Sequence, residues 1–191
     1  MQRVSFRRMD EGTPADYAFL SRLEDEFVTA LPERILDALK NLDNSLAGYQ
    51  ISRLEHSLQS ATRAERDGAD IELIVGALIH DLGDDLAPLN HSQLAAAIIR
   101  PYVRPEVAWI IEHQGIFQLY YYGDAMGVDK NAREIYRGHK WFDSCEKFCE
   151  HWDQMSFDPD YTSYPLAHFT PMVREIFSQP PFDYGIVVDE L

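Results

Sequence analysis

The stretch "ALIHDLGDD" at residues 77–85 decides how this chain is read. An apolar run ends in the ionisable pair His80-Asp81, and Gly83 follows two residues after Asp81. As a solvated helix end the pair would be unremarked. Upstream, "DIELIVGALIHDLG" carries apolar residues on nearly every face, with Asp70 placed as an N-cap. A helix apolar all round is a buried helix. Its terminal pair is then delivered into the interior, where a histidine and a carboxylate need a partner.

Working outward, helical patterns cover most of the chain. "YQISRLEHSLQSATRAERDG" sets Ile51, Leu54, Leu58 and Ala61 on one face and is closed by Gly68. "TPADYAFLSRLEDEFVTA" and "LPERILDALKNLDN" open with proline near the first turn. "NHSQLAAAIIRPYV", "RPEVAWIIEHQGIF", "NAREIYRGHKWF", "DSCEKFCEHWDQMSF" and "LAHFTPMVREIFSQ" follow. Eight or nine helices with short connections and no convincing strand predict an all-α bundle. The aromatic run "GIFQLYYYGDAMG" is ambiguous between helix and strand. The tail "PPFDYGIVVDEL" is expected as an extended strap or a frayed end. One domain is expected over 1–191: N-terminal helices over 1–45, a core over 46–155, and a final helix and tail over 156–191.

Composition narrows the classes of function. The 191 residues carry 46% apolar and 26% charged side chains, ordinary for a globular domain. No run reaches the ~20 apolar residues of a membrane span, and the N-terminal stretch lacks a signal-peptide core. A cytoplasmic protein with no membrane partner is expected. The formal net charge of −15 argues against a nucleic-acid surface. The two cysteines, Cys145 and Cys149, sit one helical turn apart and read as small buried hydrophobes.

Four histidines, His56, His80, His91 and His113, stand on successive middle helices. Metal sites in bundles are built from inward side chains on facing helices. Adjacent His80 and Asp81 point about 100° apart, which suits two metals better than one. Asp81 can bridge both through its two oxygens while His80 binds one. Asp153, on a late helix, is the best further carboxylate.

His56, His80-Asp81 and Asp153 together resemble the H…HD…D signature of the HD-domain superfamily. The resemblance covers roughly residues 48–155. It implies a helical bundle in which metal 1 takes His56, His80, Asp81 and Asp153, and metal 2 takes Asp81, His91 and His113. "LEHSLQSATRAERDGAD" and "WDQMSFDPDY" are similar to the branch of mixed-valence diiron oxygenases that cleave C–P bonds. That resemblance implies two iron ions as Fe(II)/Fe(III), O2 as co-substrate, and His80 and Asp81 at the catalytic centre. The implied reaction turns a 1-hydroxyphosphonate, (R)-1-hydroxy-2-(trimethylammonio)ethylphosphonate, into glycine betaine and phosphate. The partner is then a small molecule, and the chain a monomer or homodimer.

Tyr49 stands where the aminophosphonate-cleaving members have a glutamate, and its ring suits a quaternary ammonium. Phe117, Tyr120, Tyr121 and Tyr122 are further candidate cage walls. Asp84 replaces a family histidine among the substrate-facing residues. The densest cations, Arg137, His139 and Lys140, are candidates to bind the phosphonate, as is Arg53 one turn before His56. A metal-dependent HD phosphohydrolase on a small phosphoester or nucleotide is the alternative, and a non-enzymatic metal-binding domain a third.

Overall fold

The computed structural model describes residues 3–182. Among them are eight α-helices and no strand: α1 (Pro14–Thr29), α2 (Leu31–Asn41), α3 (Arg53–Arg66), α4 (Ile71–Ile79), α5 (His91–Ile99), α6 (Pro105–Met126), α7 (Phe142–Phe148) and α8 (Leu166–Phe177). The all-α expectation holds. Most of the tail, from 183 onward, lies outside the described residues.

Local chemistry sets the boundaries. Ser52 and Glu55 form a reciprocal capping box that starts α3. Asp70 accepts from the Leu73 N–H and starts α4. Gly127, at φ 72°, ends α6 in the left-handed conformation that glycine adopts without a Cβ penalty.

Three stretches differ from expectation. "GIFQLYYYGDAMG" is the second half of the 22-residue α6, because the helix begun at Pro105 meets no breaker before Gly127. "NAREIYRGHKWF" is not a helix: it holds one short 3-10 turn, Ala132–Tyr136, and then bends around Trp109. "DSCEKFCEHWDQMSF" divides into α7 and a wide π turn, Cys149–Asp153. Such turns shift the helical register by one residue and recur at functional sites.

α4 is the axis of the fold. Ile74 to Ile79 are all buried in it. α8 packs on one side of it and α6 on another, with Val107 and Ile111 against Gly76, while α2 packs on α8. α3 lies beside α4 and α5 beside α6. The C-terminal end of α4 thus opens where α3, α5, α6 and the π turn meet. By contrast α1 buries none of its residues.

Candidate metal centre

His56 comes from the first turn of α3, and His80 is the first residue past α4. His56 Nδ1 donates to the Ser156 carbonyl at 2.8 Å, and His80 Nδ1 donates to the Ala77 carbonyl at 2.7 Å. A carbonyl only accepts, so each Nδ1 carries its proton and each Nε2 presents a lone pair. Those two Nε2 atoms face each other at 3.0 Å. Asp153 Oδ1 lies 3.3 and 3.5 Å from them, and Asp81 Oδ2 lies 3.4 and 3.6 Å away. Asp153 Oδ2 is buried without a hydrogen-bond partner. All four side chains are buried. Facing lone pairs ringed by carboxylate oxygens require a cation between them, either a proton or a metal.

The electrostatics agree. Burial alone would lower the His80 pKa, but the Asp81 and Asp153 carboxylates outweigh it and raise it to about 9. Burial alone would raise both carboxyls. The His80 and His56 imidazoles outweigh that and hold Asp81 and Asp153 below the usual range, with Arg53 adding to the effect at Asp81. The π turn makes this geometry: Trp152 donates outward to Asp67 at 2.8 Å while Asp153 turns inward.

A second group adjoins the first. Asp81 Oδ1 lies 3.4 Å from His91 Nε2, and Asp84 Oδ1 lies 3.1 Å from His91 Nδ1. Asp84 Oδ2 accepts from Arg53 Nε at 2.6 Å, and Arg53 Nη1 is 3.5 Å from Asp81 Oδ2. Asp81 therefore faces both groups through separate oxygens. Gly83 allows this approach: a Cβ there would sit 2.7 Å from the His91 carbonyl oxygen and 2.9 Å from its Cα. In each set, His56–His80–Asp153 and Asp81–Asp84–His91, one donor atom per residue falls within 4.8 Å of the others. Nitrogen and carboxylate donors without thiolate fit iron, manganese or zinc. Cys145 and Cys149 instead point their thiols at the Ile110 and Gln114 carbonyls.

Several expected site residues lie elsewhere. His113 donates from Nδ1 to the Trp109 carbonyl at 2.9 Å, and its ring stacks on Trp109 at 4.2 Å. It packs edge-on against Tyr136 and does not join the metal group. α6 presents the next residue, Gln114, whose Nε2 lies 2.8 Å from Ser92 Oγ and 3.4 Å from His91 Nε2. Neighbours on a helix are about 100° apart, so only one of the two can face the centre. Phe117 is fully buried against Phe142 and Trp109 rather than lining a cage. The cationic candidates are engaged elsewhere: Arg137 pairs with Glu134, His139 stacks on Trp109 at 4.1 Å, and Lys140 lies 4.2 Å over Trp141. The bend of 131–141 around Trp109 turns all three away.

Above the centre opens a cavity of about 620 Å³. His56, Asp81, His91 and Asp153 line its floor, and Tyr49, Tyr121, Tyr122 and Phe157 are among its walls. Phe157 stacks on His56 at 4.4 Å and packs on Tyr49 at 5.1 Å. Arg53 is the one arginine or lysine lining it among the described residues, with its guanidinium 5.3 Å from the Tyr49 ring centre. Burial, helped by nearby acidic groups, raises the phenols of Tyr121, to about 12, and Tyr122, so both stay neutral donors. Tyr121 and Tyr122 line the cavity as expected, while Gln114, Gln118, Gln154 and Phe157 were missed as lining residues. The stripe 114, 118, 121, 122, 125 has helical spacing and was the available signal.

A family model described as HD domain matches residues 53–138, a span that includes His56, His80, Asp81 and His91. The [1-hydroxy-2-(trimethylamino)ethyl]phosphonate dioxygenase (glycine-betaine-forming) of Leisingera caerulea is 34% identical over 71 residues, 31% of this chain and 36% of that protein. The chain thus spans about a third of the length of the relative it matches.

Proposed function

Because residues 53–138 match the HD domain family, we propose that this chain is a metal-dependent oxygenase of small 1-hydroxyphosphonates. It would hold two iron ions as Fe(II)/Fe(III) and take O2 as co-substrate. Its candidate substrate is (R)-1-hydroxy-2-(trimethylammonio)ethylphosphonate, cleaved to glycine betaine and phosphate. The observation that carries the proposal is the pair of histidine nitrogens at 3.0 Å, ringed by carboxylates beneath an aromatic-walled cavity. The printed name of the Leisingera caerulea relative supports the substrate class.

When bound, the metals would supply oxidation of the hydroxyl-bearing carbon by O2. The chain's own residues do the rest. Asp81 spans the two halves of the centre with separate oxygens. Arg53, the cation of the cavity, is held by Asp84 through Nε and is the candidate partner for the phosphonate through its remaining N–H groups. Tyr49, Tyr122 and Phe157 offer ring faces to a quaternary ammonium, which hydrogen-bonding donors cannot satisfy. We further propose that 1–191 acts as a single domain around this centre, in the cytoplasm, as a monomer or homodimer without nucleic-acid or membrane partners.

The test is a screen of 1-hydroxyphosphonates for O2 uptake and phosphate release by iron-loaded protein. The expected result is O2-dependent phosphate release, greatest with the trimethylammonio compound. Hydrolysis of phosphomonoesters without O2 uptake, and no O2 uptake with any phosphonate, would make the chain a phosphohydrolase instead.

A further inference from the structure

We propose that α1 is the docking surface for a second copy of this chain, the two helices pairing antiparallel across a two-fold axis near Leu23. This selects the homodimer from the two states proposed above and does not depend on the chemistry of the metal centre. α1 has 16 residues and buries none of them, and it meets the bundle mainly through α2, the helix that follows it. A helix of that length is marginal in water on its own, because most helical stability comes from packing an apolar face. α1 has such a face. At about 100° per residue, Phe19, Leu20, Leu23 and Phe27 fall within an arc of about 100°. Leu23 is 39% exposed and Phe27 64%, with Val28 nearby at 51%. A continuous apolar stripe left in water marks a contact surface.

Charge decides the occupant. The chain carries a net charge of −15, so two copies repel unless the contact brings cations to acids. The edges of the stripe do so. On the Phe19 edge stand Arg22, whose guanidinium lies 5.6 Å from the Phe19 ring centre, and Glu26 one turn later. Among the described residues neither is in an ion pair. On the Leu20 edge stand Tyr17 and Glu24. The N-terminal arm folds against Tyr17: Phe6 packs on its ring at 5.8 Å, and the Tyr17 hydroxyl donates to the Met9 carbonyl. That arm carries Arg3, Arg7 and Arg8, of which Arg8 is engaged by Asp10. A two-fold axis across an antiparallel pair sets each edge of the stripe against the same edge of the other copy, run in reverse. Arg22 then faces the partner's Glu26, and symmetry repeats the pair. On the other edge the basic arm, beside the first half of α1, faces the partner's Glu24 in the second half.

The test is analytical ultracentrifugation of the full chain over roughly 1–200 µM, a range set by the small area that one helix and an arm can cover. A reversible dimer is expected. Leu23→Asp, which puts like charges at the axis from an exposed position, should abolish it while the far-ultraviolet circular dichroism stays the same. Arg22→Glu and Glu26→Arg should each weaken self-association about ten-fold, since each sets like charges opposite one another twice. Mixing those two variants should give a heterodimer, and the double variant Arg22→Glu/Glu26→Arg should recover the homodimer. A monomer at every concentration, the outcome if residues 183–191 or a different protein is the occupant, would overturn the proposal. So would a dimer indifferent to Leu23→Asp, or charge variants that fail to complement each other. None of these readouts involves metal, O2 or phosphonate, so the pairing and the oxygenase reading stand or fall separately.

Discussion

Loading the metal-free chain should expel a proton. His56 Nε2 and His80 Nε2 are 3.0 Å apart between two carboxylates, and the carboxylates raise His80 to about 9. At pH 7 the empty centre therefore holds its proton about 99% of the time, by the two-unit difference. A metal ion needs those nitrogens deprotonated. Apparent affinity should rise about ten-fold per pH unit from pH 7, levelling near pH 9 after about 100-fold. The same shift bears on the stability of the metal-free fold. A pKa raised above the unfolded value of 6.5 gives stability that is full below pH 6.5 and is lost as pH climbs through about 9. With His80 fully buried, a rise to about 9 is worth about 3 kcal/mol. The assay is calorimetric titration with Mn2+ at pH 7 in buffers of different ionisation enthalpy, paired with urea denaturation of metal-free protein at pH 6.5 and 9. About one proton released at this centre, and a lower midpoint at pH 9, are expected. Zero proton release, or metal affinity flat between pH 7 and 8.5, would refute the picture of a proton held between the facing nitrogens.

Other perturbations probe the surroundings. Gly83→Ala drives a methyl to 2.7 Å from the His91 carbonyl, so the turn and α5 must part; a loss of about 1–3 kcal/mol in urea melts is expected, and unchanged stability would mean the approach is not close. Tyr49→Glu should shift turnover at least ten-fold from the trimethylammonio substrate toward its primary-amine counterpart, since a carboxylate pairs with N–H donors while a ring face suits a quaternary cation; unaltered selectivity in competition assays would remove Tyr49 from recognition. Phe117→Ala should cost about 3–5 kcal/mol of stability while leaving the KM ratio between the two substrates unmoved, because Phe117 packs in the core; a selectivity change at full stability would return it to the cavity wall.

What the sequence makes legible here is what depends on local pattern. Ser52 and Asp70 declare the starts of α3 and α4, and Gly127 the end of α6. The His80-Asp81 pair follows a helix apolar at all positions but Glu72 and is read as buried for that reason. The orientation of α6 is different. Trp109, His113 and Phe117 run along one side, and Gln114, Gln118 and Tyr122 along the other, so apolar or aromatic groups occur on both. Which side turned inward was decided by Tyr136 and His139, which close over Trp109 from a segment more than twenty residues on. That segment reads in sequence as a basic patch, and nothing local ties it to α6. The π turn is hidden similarly. "CEHWD" has no breaker, and its extra residue follows from Trp152 reaching Asp67 while Asp153 turns toward two histidines on other elements.

Ser156 and Phe157 hold His56 from the far end of the chain, one by accepting from its Nδ1 and the other by stacking on its ring. Gln59 adds a clip by bonding the backbone of Asp158 on both sides of its amide. The orientation of the His56 ring is thereby set by a segment about a hundred residues away in sequence, and loosening Gln59 would free that ring to turn and weaken its hold on an ion at the floor of the cavity.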